Sequence, residues 1–426
     1  MDSYSPKNRK IIYLEGMFSN ILNLGVQSFS LTALAIYFQC STFWLSVMSS
    51  LPIGAQMLQV FFNLFCKASK TRRNALMISS IVGRVLFLLV PIAVLLKVNK
   101  PFVLVFTVVV YSVFNSFNLG VWTAIIRDTV PEKQRNRFFA MRYVFIGIVT
   151  VIFSYVCGKM LNIENKDVGI FLLSSFIAIS GVISIFLFSI QTIPKETTLN
   201  KVSNLLAPFK DAKFKKFLVF LAIWNFSIEF TRPYYPYYAI TNLSVPYEYL
   251  GFVASVGAIF SVICYPIMGK LAEKYGNKKL IANGIVVTTY MIMLYCFLGT
   301  QNYRSILLLD AIGSAISWSA IYLCLFNLFL EVASEPIESY IAAYYTVVGS
   351  FGMVGGILGG VVANFLKDEV VLVVGDSYHG LQIMFVLAIF LRLYSVLLLS
   401  RVESFEKPTY YEGLKAFTLN VLGFRK

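Results

Sequence analysis

Charged residues are scarce in this chain of 426 residues. Asp, Glu, Lys and Arg make up 13% of it, whereas 58% of the residues are hydrophobic and the mean hydropathy is +0.74. Soluble domains carry roughly 25% charged and 45 to 50% apolar residues. The composition therefore excludes a soluble globular domain, because a soluble core cannot bury so large an apolar fraction.

Groups for catalysis and metal binding are also rare. The chain has one histidine, His379, and its six cysteines show no Cys-x-x-Cys spacing. The chain therefore has almost none of the residues that a histidine-based triad or a zinc site requires. No G-x-x-x-x-G-K-S/T loop is present, so ATP hydrolysis by this chain is not expected. We expect neither enzyme activity nor a bound cofactor or metal.

Long apolar runs, in contrast, recur along the whole chain. About 20 helical residues cross the 30 Å hydrocarbon layer of a membrane. The first run is too long for the hydrophobic part of a signal peptide and is predicted to be a span. We predict an all-α integral membrane protein with twelve spans, at 11–38, 42–66, 74–96, 101–126, 139–162, 168–190, 214–241, 248–268, 280–299, 305–330, 340–366 and 380–400.

The net charge of +15 follows the predicted topology. If the N-terminus is cytoplasmic, about 27 of the 36 Lys and Arg residues fall in the cytoplasmic loops and tails, as the positive-inside rule expects. We therefore expect the protein in the cell (plasma or inner) membrane, with both termini in the cytoplasm. The basic charge then needs no nucleic acid as a partner, and the lipid bilayer is the expected surrounding.

A polar connection divides the chain into two halves of six spans. The predicted domains are a bundle at 1–190, a cytoplasmic loop at 191–213, a second bundle at 214–400 and a cytoplasmic tail at 401–426. Two loops recur between the halves at nearly one offset: 67–73 corresponds to 269–279, and 127–135 corresponds to 331–338. Such duplication is typical of transporters with a midplane site between the halves.

One of these loops carries a specific motif. The segment 269–279 reads GKLAEKYGNKK and resembles the G-x-L-A-D-R-x-G-R-R/K signature of the major facilitator superfamily. The first-half copy keeps the basic residues but lacks the glycines and the acidic residue. The resemblance covers essentially the whole chain and implies two pseudo-symmetric six-helix bundles around a cavity lined by spans 1, 4, 7 and 10.

The resemblance further implies a conformational latch in these loops. Glycines allow a tight turn, and an acidic side chain beside a helix N-terminus can lock one arrangement and release it in another. The alternative is a positively charged anchor that fixes topology. The predicted latch residues are Gly269, Glu273, Lys274, Gly276, Lys278, Lys279, Asp128 and Arg135.

Polar side chains share one helical face in spans 1 and 4. Polar groups at lipid depth usually face a cavity or a partner, although amides also join membrane helices to each other. Because the resemblance places spans 1 and 4 at the cavity, we predict that these residues line the solute path. They are Asn20, Asn23 and Gln27 in span 1, and Asn115, Asn118 and Trp122 in span 4.

Span 7 combines charge, tyrosines and prolines. Asn225, Glu229 and Arg232 share one face, and two prolines free backbone carbonyls nearby. We predict that Glu229 binds a proton or a cationic group, that Arg232 tunes Glu229 or binds an anionic group, and that Tyr235 lines the cavity. The alternative is a structural ion pair beside an aromatic belt.

Three more spans contain charged residues. In span 10, Asp310 is a second candidate for proton coupling and Trp318 for the cavity wall; the alternative for Asp310 is solvation near the outer interface. Arg84 and Arg392, in spans 3 and 12, are expected outside the cavity, where they pair between helices or extend to the membrane surface.

The expected function is secondary transport of a small solute by a monomer. Coupling to a proton or another ion is expected, with the proton favoured, and a polar solute such as a sugar is slightly favoured. Proton-driven efflux of amphipathic drugs is the main alternative, since 38 phenylalanines supply adaptable apolar surface. A channel fits the two-fold repeat less well than alternating access. A receptor or scaffold without transport is a further alternative.

Overall fold

The computed structural model describes residues 4–61, 65, 66, 68–131, 134–193, 206–334, 337–373 and 376–403. Most of the predicted central loop, 194–205, and most of the predicted tail, 404–426, lie outside the described residues. The predicted division into two bundles with a loop and a tail stays a prediction. We use "first half" for residues 4–193 and "second half" for residues 206–403.

The described residues of the first half are helical almost throughout. Short polar connections separate the helices. The helices are α1 Pro6–Gly25, α2 Phe29–Tyr37, α3 Thr42–Gly54, α4 Arg72–Val85, α5 Leu89–Leu95, α6 Pro101–Thr129, α7 Arg135–Leu161 and α8 Lys166–Ile190, with 3₁₀ segments at Ala55–Phe61 and Leu86–Leu88.

The second half repeats this pattern. A four-residue helix precedes six span positions. The elements are α9 Ala207–Lys210, α10 Ala212–Thr231, α11 Tyr234–Thr241, α12 Tyr247–Tyr275, α13 Asn277–Tyr295, α14 Tyr303–Val332, α15 Ile337–Leu366, β1 Val370–Val373, β2 Asp376–His379 and α16 Gly380–Ser400.

The nearly all-helical membrane class is confirmed. Within the described residues, eight helical segments are long and apolar enough to cross a membrane. Large apolar side chains cover the outside, including Phe186, Phe390 and Leu397, each more than 60% exposed. An apolar surface of this extent fits lipid contact. Helices occupy all twelve predicted positions, but the count of twelve complete spans stays a prediction.

Spans 1 and 7 are broken, each near its centre. α1 ends at Gly25 and α2 begins at Phe29, because the hydroxyls of Ser28 and Ser30 donate to the Leu24 carbonyl at 3.0 and 2.8 Å. Such bonds compete with the helical ladder. α10 ends at Thr231, where Pro233 has no N–H to continue the ladder. The sequence predicts the second break but treats span 1 as continuous.

A short β-hairpin stands between α15 and α16, where the sequence predicts a loop. β1 pairs with β2 in antiparallel fashion, with Val370 opposite His379. The valine-rich segment 370–373 has high strand propensity. A hydrophobicity pattern assessed over the length of a helix therefore does not reveal this strand.

The halves meet along two helix pairs, α3 with α15 and α7 with α12. We call the side of the molecule on which α1 begins the near face and the opposite side the far face. Toward the far face, Lys159 and Glu248 form an ion pair at 2.5 Å, and Thr42 donates to Asn364 at 3.4 Å. The far face is therefore closed by contacts between the halves.

Glycine makes the α7 and α12 contact possible. A Cβ on Gly251 would lie 2.5 Å from the Ser154 carbonyl oxygen, and one on Gly158 would lie 2.7 Å from the Tyr247 carbonyl oxygen. Both neighbours are backbone atoms of the other helix. Any larger residue must therefore separate the two helices and with them the two halves.

Replacing Gly251 tests this contact. We expect Gly251→Val to lower the free energy of unfolding by about 1 to 3 kcal/mol, as overpacking does elsewhere, and to lower the midpoint of thermal unfolding in detergent. Gly299→Val is the matched control, because a Cβ at Gly299 meets nothing within 4 Å. Equal midpoints for the two variants would contradict the proposed close contact.

Candidate functional site

A cavity of about 580 Å³ lies within the membrane-spanning region, mostly in the second half. Ile53 and Gln56 of the first half contribute to its wall, and helices α10, α11, α13, α14, α15 and α16, with Arg232 at the break between α10 and α11, form the rest. Pockets for small ligands commonly enclose about 300 to 1,000 Å³. Four charged side chains line it: Glu229, Arg232, Asp310 and Arg392.

The ion pair of Glu229 with Arg232 lies at the break in span 7. Arg232 donates to the Glu229 carboxylate at 2.7 Å and to the Gln27 side-chain oxygen at 3.1 Å. Glu229 is fully buried, and its second oxygen, Oε2, has no hydrogen-bond partner among the described residues. The ion pair thus joins the breaks of spans 1 and 7 and leaves one carboxylate oxygen available.

Asp310 of α14 is the second acidic group of the cavity. Ser314 donates to one carboxylate oxygen at 2.7 Å, and Tyr295 donates to the other at 3.0 Å. Asp310 also lines a second cavity of about 310 Å³, which it shares with Gln27, Arg232 and Tyr235. Its position is inside the protein, at the cavity wall.

Arg392 lines the larger cavity, although the sequence analysis places it outside. Its guanidinium carbon lies 5.6 Å from the centre of the Trp224 ring, and its charge interacts with that of Asp310. The sequence signal that pointed to it was the lone arginine at lipid depth. The prediction that Arg392 lies outside the cavity is therefore wrong, because span 12 contributes this side chain to the wall.

The other predicted second-half residues also lie at the cavity. The Trp318 ring packs against Tyr322 at 5.1 Å and against Trp224 at 5.8 Å between centroids. Asn225 lines the wall while donating to the Leu221 carbonyl at 2.8 Å. The Tyr235 hydroxyl lies 2.9 Å from the Thr231 hydroxyl. The structure therefore brings together Asn225, Glu229, Arg232, Tyr235, Asp310 and Trp318.

The predicted first-half residues are arranged differently. Gln27 lines the smaller cavity. Asn20 donates to Thr150 at 2.9 Å, Asn23 accepts a hydrogen bond from Tyr111, and the Trp122 ring lies beneath the Arg142 guanidinium at 4.3 Å. These contacts join helices within the first half, and none of the three residues lines either cavity. Their place on the solute path stays a prediction.

Asn118 belongs to a buried polar cluster around Arg84. Arg84 pairs with Glu15 at 3.3 Å, and both side chains are at most 3% exposed. Ser184 donates to Glu15 at 2.8 Å, and Asn118 accepts from Arg84 at 3.4 Å while donating to Ser80 at 2.7 Å. Asn115 lies one turn away on α6 and is half-buried. Arg84 thus pairs between helices, and its charge is satisfied.

The near-face loops connect equivalent positions in the two halves. In the first half, Arg72 pairs with Asp128 at 2.5 Å. In the second half, Asn277 donates to Glu331 at 2.6 Å. The paired residues are 56 and 54 residues apart. In each half, the pair therefore joins the start of the third predicted span to the end of the fourth.

The predicted latch residues of the second half lie at the end of α12, at Gly276 and at the start of α13. Gly276 has a φ of 87°, a left-handed conformation that favours glycine. Lys278 donates to the carbonyls of Ser400 and Val402 at 2.8 and 2.7 Å, and Lys274 lies over the Tyr275 ring. Gly269 and Glu273 lie in the last two turns of α12, and Lys279 lies in the first turn of α13. The side chain of Arg135 lies outside the described residues, and the latch stays a prediction.

Asp211 caps α10 at the same face. Its carboxylate accepts hydrogen bonds from the Lys213 and Phe214 backbone N–H groups and from the Tyr340 hydroxyl. Partial burial raises the pKa of Asp211, but these hydrogen bonds outweigh it and hold the pKa below the ordinary value. Asp211 therefore remains ionised and ties the start of span 7 to α15.

The buried pair in the first half makes a stability prediction. Arg84→Leu leaves Glu15 as an uncompensated buried charge, so we expect a loss of about 3 to 5 kcal/mol in the free energy of unfolding. Glu15→Gln combined with Arg84→Leu should recover part of that loss. The exposed pair of Lys216 with Glu403 supplies the control, since Lys216→Leu should leave the unfolding midpoint nearly unchanged. Additive effects of the two buried replacements would contradict the pairing.

Long apolar helices around a charged internal cavity define an integral, multi-pass membrane transport protein. The chain belongs to the Major Facilitator Superfamily, whose family model matches residues 13–360. The motif-based resemblance is thereby confirmed. No curated protein sequence matches the chain significantly.

Solved structures share the fold at low sequence identity. A single-residue mutant of the nucleoside transporter NupG has a TM-score of 0.74 at 14% identity, covering 93% of this chain and 99% of that one. A D-xylose-proton symporter has a TM-score of 0.72 at 11% identity, covering 94% and 98%. A bacterial metal transporter has a TM-score of 0.61 at 12% identity, covering 93% and 97%. These likenesses concern the fold and leave the solute open.

Proposed function

We propose that this chain is a secondary transporter that moves a small polar solute by alternating access and couples the movement to protons. The proposed solute site is the larger cavity, and the proposed proton carriers are Glu229 and Asp310. We place the protein in the cell membrane as a monomer, with both termini and the near face in the cytoplasm. The distribution of Lys and Arg supports this orientation.

The observation that carries the proposal is the carboxylate of Glu229 at a helix break. Glu229 is buried in the cavity wall, has one partner in Arg232, and keeps Oε2 without a hydrogen bond to the described residues. A buried charge of this kind is expensive and typical of proton and solute pathways. Broken helices in transporters commonly present such groups at the midplane.

The contacts between the halves support alternating access. The ion pair of Lys159 with Glu248 and the hydrogen bond of Thr42 to Asn364 close the far face. Under the proposed orientation, this arrangement faces the cytoplasm. Opening the far face must break these bonds and separate the glycine contact of α7 with α12 described above. The near-face pairs at Asp128 and Glu331 lie within single halves, so each half can move as a unit.

A polar solute is favoured by the groups on the wall. Beside the four charges, the wall carries hydrogen-bonding groups such as Gln56, Asn225 and Ser314. Two structural neighbours are named as transporters of nucleosides and of D-xylose with protons. Both names fit a solute that combines hydroxyl groups with a ring, which aromatic side chains can stack against.

Efflux of amphipathic drugs is the second candidate, and the aromatic wall favours it. Trp224, Trp318, Tyr322 and Phe326 all line the cavity. Such a surface adapts to apolar molecules of different shape. Selectivity separates the two candidates, because a hydrogen-bonding site rejects analogues that lack a hydroxyl group far more strongly than an apolar site does.

Uptake into proteoliposomes tests the proposal. With an inward proton gradient, we expect wild-type protein to accumulate a polar solute from a radiolabelled panel of sugars, sugar acids and nucleosides. Glu229→Gln should reduce gradient-driven uptake by roughly tenfold or more and weaken its pH dependence, because an amide carries no titratable proton and Asp310 remains as the second carrier. Asp310→Asn should reduce the same uptake.

Glu403→Gln is the control, since this exposed glutamate lies outside the cavity and pairs with Lys216 within the second half. Uptake by Glu229→Gln with the wild-type pH dependence would contradict proton coupling at Glu229. Accumulation of lipophilic cations alone, with no sugar or nucleoside uptake, would favour the efflux candidate.

A further inference from the structure

Arg392 is a buried cation whose hydrogen-bonding capacity is incompletely used. It lies near the middle of α16, is 4% exposed and lines the larger cavity. Its Nε has no hydrogen-bond partner among the described residues. An arginine has five N–H donors, and leaving them unpaired at lipid depth is expensive. The position therefore requires a reason beyond packing.

Arg84 shows how this protein satisfies an arginine that serves structure. Both arginines are buried to a similar degree, at 3% and 4% exposure. Arg84 donates to Glu15, Ser19, Ser184 and Asn118, which together occupy its guanidinium. Arg392 has the face of Trp224 as its neighbour instead, at 5.6 Å. The difference indicates that a group from outside the protein completes the surroundings of Arg392.

The nearby acidic group is already engaged. Both oxygens of the Asp310 carboxylate accept hydrogen bonds, from Ser314 and Tyr295. Asp310 interacts with Arg392 through charge, without a direct hydrogen bond between the two in the structure. The other acid of the cavity, Glu229, is paired with Arg232 at 2.7 Å. The N–H donors of the planar Arg392 guanidinium are thus free to bind an oxyanion from the cavity.

We propose that Arg392 binds a carboxylate group of the transported solute, with Trp224 and Trp318 holding the adjoining ring or apolar part. The inference deepens the proposed function and rests on it, because it assigns the solute class of the same cavity. Arginine matches a carboxylate with two parallel hydrogen bonds. The solute is therefore an organic acid, such as a sugar acid or an aromatic acid, rather than a neutral sugar.

Asp310 links this binding to a proton. A carboxylate bound to Arg392 brings a second negative charge close to Asp310, and two negative charges repel each other. Binding of the acid therefore favours protonation of Asp310. The other charged or titratable side chains on this wall are Tyr235, Tyr295, Glu229, Arg232, Tyr322, Tyr344 and Tyr345. Anion and proton then move together, with no net change of charge in the cavity.

Matched acid and amide pairs test the anion site without requiring transport. Purified full-length protein is titrated with glucuronate and glucuronamide, and with nicotinate and nicotinamide, by calorimetry and by thermal shift. Members of a pair have nearly the same shape but differ in charge. We expect at least one carboxylate to bind about tenfold or more tightly than its amide, the range of a charge-assisted hydrogen bond.

Variants of Arg392 assign the preference. Arg392→Gln should weaken carboxylate binding by about tenfold or more and leave amide binding unchanged. Arg392→Lys should keep part of the preference, because it retains the charge but loses the planar pair of donors. Arg304→Gln removes the same charge from an exposed position in the first turn of α14 and should bind like wild type.

The outcomes separate this inference from the transport proposal. The anion site is overturned if no carboxylate binds, if the amides bind equally well, or if Arg392→Gln keeps the wild-type preference. Uptake of neutral sugars in proteoliposomes together with any of these results would leave the transport proposal intact. Carboxylate binding that depends on Arg392, without uptake, would support the anion site and contradict transport.

Discussion

The hydrogen bond between Arg232 and Gln27 joins the two broken spans, 1 and 7. Each residue lies at a break in its span, and the two are 205 residues apart, close to the offset at which the near-face loops repeat. The two breaks therefore meet at the smaller cavity, which both residues line. Glu229 holds Arg232 in place from the other side. The site depends on these three side chains because each one fixes the next.

This constraint explains why the polar groups of the halves differ. In the second half, charged residues converge on the cavity, where Glu229, Arg232, Asp310 and Arg392 lie together. In the first half, Glu15, Arg84 and Asn118 satisfy one another within the bundle. A helix bundle whose polar groups are paired internally can act as a rigid body. The internal pairing therefore ties the helices of the first half to one another.

The sequence predicted what depends on composition and on proline. The hydrophobic runs located the helices, and Pro233 located the break of span 7, since a missing N–H acts locally. It did not predict the break of span 1, because Ser28 and Ser30 break a helix only when their hydroxyls turn to the preceding carbonyl. Nor did it predict the hairpin that separates α15 from α16.

Residue roles were less predictable, for a physical reason. The same asparagine pattern suits a cavity wall and a contact between helices, and rotation of the helix about its axis decides between them. Asn23 faces Tyr111, whereas Gln27, one turn later, faces the second half. Arg392 was misplaced because its position depends on how span 12 packs against Trp224. Tertiary packing of this kind leaves no local signal.

The double replacement Glu229→Gln with Arg232→Gln tests the central claim most directly. Removing both charges leaves no unpaired buried ion, so a structural ion pair could be lost with little effect on stability. The measurement is the unfolding midpoint together with proton-driven uptake in proteoliposomes. We expect a midpoint near that of wild type and a loss of proton-driven uptake. Uptake with wild-type rate and pH dependence would show that the pair only holds the helices together.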